Sequence, residues 1–168
     1  MAIIDSGNRT EFQTGAVRDI QEGKGRCDLL PFDVVSILWG REFGEDDYAA
    51  HFFEEVHLFL RNGNYVFLAE AVGWFVQQSD YTCWSDMLIE VSKHFEEGAK
   101  KYGEHNWEKG IPVSRYIDSA VRHYLKWLRG DKDEPHDRAV CWNLMCAVWT
   151  CINKPELNEY AKGGANNE

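Results

Sequence analysis

Acidic and basic side chains recur one helical turn apart in two places in the second half of the chain. Glu96 precedes Lys100 by four positions, and Asp118 precedes Arg122 by the same interval. Residues four apart lie on one face of a helix, so each pair could be an ordinary surface ion pair, which contributes little to stability. Two neighbouring helices that each present an acid beside a base could instead hold a divalent metal through the carboxylates and a polyphosphate through the cations. The spacing leaves both interpretations open.

The periodicity of a predicted helix at 84–102 distinguishes two adjacent acids on it. Successive side chains turn by about 100°, which predicts a core face formed by Leu88, Val91, Phe95, Ala99 and Tyr102. Glu97 lies nearly opposite this face, whereas Glu96 lies on its flank. We therefore expect Glu96 to point into a crevice between helices and Glu97 to face water.

A second polar pattern lies on the last long helix, predicted at 135–152. This helix is apolar almost all round, which predicts a central position. Its polar residues His136, Asn143 and Thr150 are seven apart and lie roughly on one line. A buried Asn without hydrogen-bond partners costs about 1–3 kcal/mol. The line is either a structural hydrogen-bond ladder or the side of the helix that faces a site, and both alternatives stay open.

Between these helices, the segment Lys101–Gly110 contains glycines that permit a tight path. We expect Asn106 and Trp107 to be exposed there, where they offer an amide and an aromatic face to a nucleobase. Trp107 could equally be a lid over the core.

Length and composition limit the class of protein. The chain has 168 residues, 44% of them hydrophobic and 14% aromatic, which is enough for one domain with its own core. No apolar run is long enough to span a membrane and the N-terminus lacks a secretory pattern, so we expect a cytoplasmic protein. The cysteine count of five is odd and includes no Cys-x-x-Cys pair, which argues against a disulfide framework or a closed zinc site.

The charge pattern favours a small anionic ligand over a polymer. A formal net charge of -10 argues against binding to long nucleic acids, which depends on clustered Lys and Arg. Between His94 and Arg129, however, basic residues outnumber acidic ones. This local excess suits a phosphorylated small molecule bridged by a metal.

The hydrophobic periodicity predicts an all-α fold, an elaborated helical bundle, because strong strand alternation is absent. Helices are predicted near 33–39, 46–61, 64–78, 84–102, 113–129 and 135–152. Pro112 with Ser114 and Asp133 with Pro135 are helix-start signals. Residues 1–12 and 162–168 are expected to be loose tails of a single domain.

Several segments together resemble the phage and bacterial dATP/dGTP diphosphohydrolases of the MazZ type, which have a MazG-like all-α fold. The matching segments are Gly15–Asp19, Gly23–Pro31, Phe95–Gly103, Asn106–Gly110, Asp118–His123, and His136 with Trp142–Asn143. The resemblance implies a metal-dependent pyrophosphohydrolase that converts purine deoxynucleoside triphosphates to the monophosphate and pyrophosphate, in an oligomeric protein. Glu96 matches the family's helical glutamate, Asp118 its second-helix acid, and Arg122 and His123 its Arg-His pair.

Two departures from the family pattern affect what can be carried over. The family often has a second histidine three residues after the position of His136, where this chain has Ala139. The region 33–90 is also longer than expected, so Asp46 to Ser79 is interpreted as a helical insertion that could form a lid or an oligomer contact.

The residues and the resemblance together imply a site with a metal, a phosphate and a base region. A bound Mg²⁺ or Mn²⁺ would activate water for attack at the α-phosphorus, with Glu96 and Asp118 as the catalytic residues. The predicted metal ligands are Glu96, Glu97, Asp118 and Asp133. The residues predicted to contact the nucleotide are Lys100, Lys101, Arg122 and His123 near the phosphates and Asn106, Trp107 and Asn143 near the base. Residues that could close over the phosphates are Arg18, Lys24 and Arg26.

Two other functions compete with this prediction. His136-Asp137 imitates the dyad of HD-type phosphohydrolases, but those sites need a later metal-binding aspartate and no Asp follows Asp137. The chain could also be a non-enzymatic acidic helical interaction protein of phage origin. The sequence does not distinguish dATP, dGTP or a modified purine as the substrate.

Overall fold

The computed structural model describes residues 7–21, 23–44 and 46–161, and most of these residues are helical. The helices are α1 (Phe32–Phe43), α2 (Tyr48–Asn62), α3 (Val66–Gln78), α4 (Trp84–Tyr102), α5 (Val113–Arg129) and α6 (His136–Asn153). The predicted all-α class is confirmed, and each predicted helix is present. No helix in the described ranges combines the length and the apolar character that a membrane crossing requires.

Local chemistry accounts for where two of these helices begin. Asp47 precedes α2 and accepts a hydrogen bond from the Ala49 amide at 2.8 Å, so this helix begins later than the predicted residue 46. At α5 the expected cap, Ser114, is itself a donor. Its amide and its hydroxyl bond to the Glu159 carboxylate at 2.9 and 2.6 Å, which places a negative charge at the helix N-terminus.

A short hairpin precedes the helices. Strand β1 (Arg9–Glu11) pairs antiparallel with β2 (Val17–Asp19), with Arg9 opposite Asp19. The expectation of a loose tail through Phe12 is therefore wrong for these residues, whereas 1–6 and 162–168 lie outside the described residues. Strands this short are marginal alone, so contacts with the helices must hold the hairpin in place.

The core forms where α5 and α6 pack together and against the remaining helices. Tyr124 of α5 is fully buried and contacts Phe52 of α2, at 4.0 Å between ring centroids, and Phe75 of α3, at 5.7 Å. The segment predicted to be an insertion, Asp46 to Ser79, thus supplies part of the core. Within the described ranges it contributes no side chain to the large cavity described below, so the suggested lid is not observed.

The orientation of α4 differs from the predicted one. Met87, Val91 and His94 are buried, whereas Leu88, assigned to the core face, is 48% exposed. The buried face is rotated because His94, a polar residue by type, lies inside. This rotation moves Glu97 to the inner side of the helix.

Candidate active site

A cavity of about 860 Å³ lies between the β1–β2 hairpin and helices α4, α5 and α6. This volume is in the range of pockets that bind small molecules and cofactors. Cationic side chains line it together with aromatic ones; the aromatic residues are Phe95, Tyr102, Trp107 and Trp142. The cavity can therefore accommodate a ligand with an anionic part and a flat apolar part.

Asn106 attaches the hairpin to the helices. Its side-chain oxygen accepts the Val17 amide N–H, and its amide nitrogen donates to the Val17 carbonyl, both at 2.9 Å. The prediction that Asn106 is exposed is wrong, because its amide pairs with β2 as a backbone peptide group would, and only 6% of the residue is accessible. Both contacts position the hairpin wall of the cavity.

Asp19 makes a second attachment between the hairpin and α4. Its carboxylate accepts hydrogen bonds from Lys101 Nζ at 2.8 Å and from the Tyr102 hydroxyl at 2.9 Å. Lys101 is thus held by a carboxylate in the position where the sequence predicts phosphate binding.

Arg18 projects from β2 into the cavity; the residue as a whole is half-buried, and its Nη1 atom is fully buried. Its Nη2 donates to Asn143 Oδ1, while Nη1 is buried and has no hydrogen-bond partner. The guanidinium lies 5.1 Å from the ring centroid of Tyr116 and 5.8 Å from that of Trp142. No carboxylate among the described residues forms an ion pair with it. Because arginine stays protonated, this is a buried positive charge without a counter-charge, which favours an anionic ligand.

Two further cations line the same cavity. Arg122 Nη1 donates to Asp118 at 2.8 Å and its Nη2 donates to Ser119 Oγ at 2.9 Å. Burial lowers the pKa of Lys24, and the nearby charges of Arg122 and Lys101 lower it further. Burial likewise lowers the pKa of Arg18, and Arg122 adds to this effect. The mutual repulsion shows that these positive charges lie close together.

Asp118 is buried and both of its oxygens already accept hydrogen bonds. Oδ1 accepts the Cys27 amide at 2.7 Å, and Oδ2 accepts Gln21 Nε2 at 2.7 Å and Arg122 Nη1 at 2.8 Å. Asp118 thus connects the segment after the hairpin to α5 and orients Arg122. This arrangement differs from the predicted one, in which the carboxylate holds a metal.

Glu96 and Asp118 pair with different cations. Glu96 forms an ion pair with Lys100 on the outer face of α4, where the two side chains are 65% and 70% exposed. Glu96 lies at the cavity wall all the same. Among the described residues, neither Glu96 nor Asp118 belongs to a group of three converging ligand atoms, and Asp118 already accepts from three donors. That the two share one ion stays a prediction.

Glu97 faces the protein interior, contrary to the predicted phase of α4. Its Oε1 lies 3.7 Å from Arg138 Nη1 of α6, and its Oε2 is buried without a hydrogen-bond partner. The sequence argument fails here because it assigned the core face from apolar residues alone.

Trp107 and Asn143 occupy the cavity wall in different roles. Trp107 packs edge-on against Phe95, at 5.5 Å between centroids, and against Trp149, at 4.9 Å. The buried Asn143 donates to the Ala139 carbonyl at 2.7 Å and accepts from Arg18. Of the two alternatives left open for the polar line on α6, Asn143 therefore satisfies both, since it is bonded within its helix and faces the cavity.

A histidine pair lies where α5 approaches the start of α6. Nδ1 of His123 and Nδ1 of His136 are 2.8 Å apart, and Glu134 Oε2 lies 3.9 Å from the His123 nitrogen. His136 Nε2 lies 2.8 Å from Asp133 Oδ1. Burial holds the pKa of His123 well below its usual value, and His136 adds to the shift.

Two groups of side chains in the described ranges have ligand atoms close enough to share a metal ion. They are His123 with Glu134 and His136, and Asp131 with Asp133 and His136, with all ligand atoms of a group within 4.8 Å of one another. Of the predicted ligands only Asp133 belongs to either group. Glu134 was not among the ligands predicted from the sequence. The signal that could have found it is the short connection between α5 and α6, which carries Asp131, Asp133 and Glu134.

The competing HD-type dyad is also not formed as a metal pair. Asp137 accepts a hydrogen bond from the Tyr81 hydroxyl at 3.0 Å and belongs to neither group of potential ligands in the described residues. Arg26, a further predicted phosphate ligand, pairs with Asp28 on the other side of the hairpin connection.

Comparison with known proteins identifies the region that builds most of this site. Residues 80–160 match the family described as dATP/dGTP diphosphohydrolase, N-terminal. No curated protein and no solved structure matches the chain. The matched residues comprise α4, α5 and α6, with the histidine pair, Asp118 and Arg122. Through residues 80–160, just under half of its length, this chain is similar to the dATP/dGTP diphosphohydrolase family.

Proposed function

We propose that the chain hydrolyses a purine deoxynucleoside triphosphate, dATP or dGTP, to the monophosphate and pyrophosphate. The observation that carries this proposal is the guanidinium of Arg18, whose Nη1 is buried without a hydrogen-bond partner. Its charge has no carboxylate partner among the described residues, and the side chain lines a cavity of about 860 Å³. The family match of residues 80–160 supports a triphosphate as the missing anion.

The triphosphate would lie against Arg18, Lys24 and Arg122. Hydrogen bonds between a cation and a phosphate oxygen are about twice as strong as neutral ones, and an enclosed site strengthens them further. Asn143 positions Arg18, and Asp118 positions Arg122. Lys100 remains a proposed contact at the cavity mouth, whereas Lys101 would act through Asp19.

The purine would pack among the aromatic side chains of the cavity. Phe95, Trp107 and Trp142 line it and offer apolar faces and edges to a flat ring. Trp107 keeps its predicted role as a base contact, whereas Asn106 acts by holding β2 in place.

In the proposed reaction a water molecule attacks the α-phosphorus, the bond from this phosphorus to the bridging oxygen breaks, and pyrophosphate leaves with that oxygen. The three cations would stabilise the charge that develops on the leaving group. Glu96, which lies at the cavity wall, remains a proposed catalytic residue.

The proposed Mg²⁺ site does not fit the residues chosen for it from the sequence. Mg²⁺ requires several oxygen ligands in near-octahedral geometry. In the described residues, Glu96, Glu97 and Asp118 belong to no group of converging ligand atoms. We therefore derive no step of the reaction through an ion held by this set.

The exposed surface supports the proposed homo-oligomer. Ile37, Leu38 and Phe43 of α1 are large apolar side chains that are mostly accessible in the single chain. Burying them between copies would be favourable. Light scattering coupled to size exclusion should report a mass above that of one chain, and Ile37→Asp should lower it. An enzyme that hydrolyses free deoxynucleotides acts where they are made and used, so we propose that the oligomer is cytoplasmic.

The reaction is tested by incubating the chain with dATP, dGTP or dCTP, each with Mg²⁺ and with Mn²⁺, and separating the products by anion exchange. We expect the purine monophosphate and pyrophosphate, with ¹⁸O from labelled water in the monophosphate. Deoxynucleoside and tripolyphosphate would establish the HD-type reaction instead. Turnover of none of the nucleotides would support the non-enzymatic interaction protein.

A further inference from the structure

We propose that His123, Glu134 and His136 bind a first-row transition-metal cation, of the class Mn²⁺, Fe²⁺, Co²⁺ or Zn²⁺, at the wall of the cavity. Only the role of this ion in turnover rests on the proposed function; its binding does not. The three side chains come from the second half of α5, the connection that follows it and the first residue of α6.

The ligand atoms are already near the separations that one ion requires. A metal about 2.1 Å from each ligand places neighbouring ligand atoms about 3.0–3.4 Å apart. The two histidine nitrogens are 2.8 Å apart, and the Glu134 oxygen is 3.9 Å from the His123 nitrogen. All ligand atoms of the group lie within 4.8 Å of one another. A modest movement of the Glu134 side chain would therefore bring all three to a common ion.

The hydrogen bond of His136 fixes which of its nitrogens can bind a metal. Asp133 Oδ1 lies 2.8 Å from Nε2, and Lys126 donates to the other oxygen at 2.9 Å. The ionised carboxylate has no proton to donate and can only accept a hydrogen bond from Nε2. Nε2 therefore carries the hydrogen, and in the neutral ring Nδ1 presents its lone pair towards His123. A carboxylate behind a histidine is the usual outer support of a metal-binding imidazole.

The ligand types select a class of metal. Two imidazoles and one carboxylate suit Mn, Fe, Co or Zn, whereas Mg²⁺ prefers oxygen ligands alone. Three protein ligands also leave open positions, and His123 and Glu134 line the cavity. Phosphate oxygens or water could fill these positions in the nucleotide complex.

The neighbouring charges permit a cation at this place. Arg122 is adjacent to His123 in sequence, but its guanidinium is paired with Asp118 at 2.8 Å. Glu134, Asp133 and Asp131 contribute negative charge around the two histidines. In the absence of an ion the same two nitrogens form an N–H···N hydrogen bond, which is the purely structural alternative.

The test uses the full chain with Cys83→Ser, because an exposed thiol would compete for soft metals. After chelator treatment, the protein is titrated with Co²⁺, Mn²⁺, Zn²⁺ and Mg²⁺ by calorimetry without nucleotide. Visible absorption of Co²⁺ reports protein ligands directly. We expect one Co²⁺ per chain and binding of Mg²⁺ at least tenfold weaker.

Variants then assign the ligands. His136→Gln and Glu134→Gln should each weaken Co²⁺ binding at least tenfold and alter its spectrum, and Asp133→Asn should weaken it about 10–100-fold as an outer support. His51→Gln is the matched control, because His51 also lies beside a glutamate, Glu54 at 3.8 Å, but on α2 away from the cavity.

The outcomes separate this site from the proposed reaction. Co²⁺ binding that these variants leave unchanged, or no binding at all, would overturn the metal site even if dGTP were hydrolysed with Mg²⁺. Ligand-dependent Co²⁺ binding without hydrolysis of any nucleotide would support the metal site and contradict the proposed function. If His136→Gln fails to fold, Glu134→Gln and Asp133→Asn still decide the question.

Discussion

At the scale of single residues, the unusual side chain is Arg18, a cation enclosed by aromatic rings and an amide. Most buried charges in proteins are paired, because the loss of hydration is otherwise uncompensated. Asn143 accepts from Nη2 of Arg18, and Nη1 is buried without a partner. The residue therefore destabilises the ligand-free protein and favours the complex with an anion.

Replacing Arg18 should separate stability from binding. In Arg18→Met we expect an unchanged or higher melting temperature, because a buried unpaired charge is removed, together with at least a tenfold loss in kcat/KM for dGTP. Thermal melts and steady-state kinetics measure the two effects. Arg41→Met, which removes an exposed arginine of α1, should leave kcat/KM unchanged. A lower melting temperature with unchanged kcat/KM would assign Arg18 a structural role only.

A second pair of substitutions distinguishes the two carboxylates predicted to be catalytic. Asp118→Asn should reduce turnover and also lower the free energy of unfolding by about 2–3 kcal/mol, because a charged acceptor of three hydrogen bonds is lost from the interior. Glu96→Gln should leave stability nearly unchanged, since its pair with Lys100 is exposed. Urea unfolding beside single-turnover kinetics tests both. Loss of turnover in Glu96→Gln at full stability would keep Glu96 as a catalytic residue.

At the scale of elements, the helices were predictable and their rotation was not. Gly63 and Gly130 end α2 and α5 with φ of 70° and 83°, a left-handed backbone conformation that favours glycine. The ends of these helices are therefore determined by local sequence. The rotation of α4 depends on which neighbours pack against it. Since His94 is buried beside Trp142, at 5.4 Å between ring centroids, a face assigned from apolar residues alone is turned away from the real one.

The candidate site was predictable in part, for related physical reasons. Arg122 and His123 of α5 and Asn143 of α6 line the cavity, and their contacts with a nucleotide stay a prediction. Their places on these helices follow from helical periodicity, which is a local property. The roles of Asn106 and Asp118 were not, since each bonds to residues about 90 positions earlier in the chain. A sequence pattern carries no information about such partners.

Asn106 provides a test of the hairpin as an element. Asn106→Ala removes both hydrogen bonds to Val17 and leaves its amide and carbonyl without partners, which should cost about 2–3 kcal/mol. We expect faster hydrogen exchange in residues 9–19 and a raised KM for the nucleotide, with little change in the helices. Asn153→Ala is the control, because that exposed amide bonds only to the preceding turn of α6. Unchanged exchange in 9–19 would contradict this role.

At the scale of the whole molecule, one buried histidine links stability to pH. Burial is the main cause that lowers the pKa of His94 from 6.5 to about 4, and Arg138 and Arg18 add to it. Between these values the unfolded chain binds a proton that the folded chain does not. The free energy of unfolding is therefore unaffected by His94 above pH 6.5. As the pH falls towards 4, the titration of His94 lowers this free energy by up to about 3 kcal/mol.

Unfolding measured across this range tests the linkage. His94→Gln cannot titrate, so its free energy of unfolding should fall less steeply between pH 6.5 and about 4 than that of the original chain. His123 is present in both proteins, and only the part of its pKa shift that comes from His94 differs between them. Parallel curves for the two proteins would show that His94 is protonated equally in the folded and unfolded states.

The attachment of the hairpin also sets an order of events in folding. Val17 and Asn106 are 89 positions apart, and Arg18 and Asn143 are 125 apart. Closing loops of this length is entropically unfavourable until both ends are already fixed, and two strands of three residues have little stability alone. The helices should therefore assemble first and the hairpin should dock last. During synthesis the order of emergence is the reverse, because residue 18 leaves the ribosome long before residue 143. We expect the newly made hairpin segment to remain undocked until α6 has left the ribosome, and nucleotide binding to appear only then.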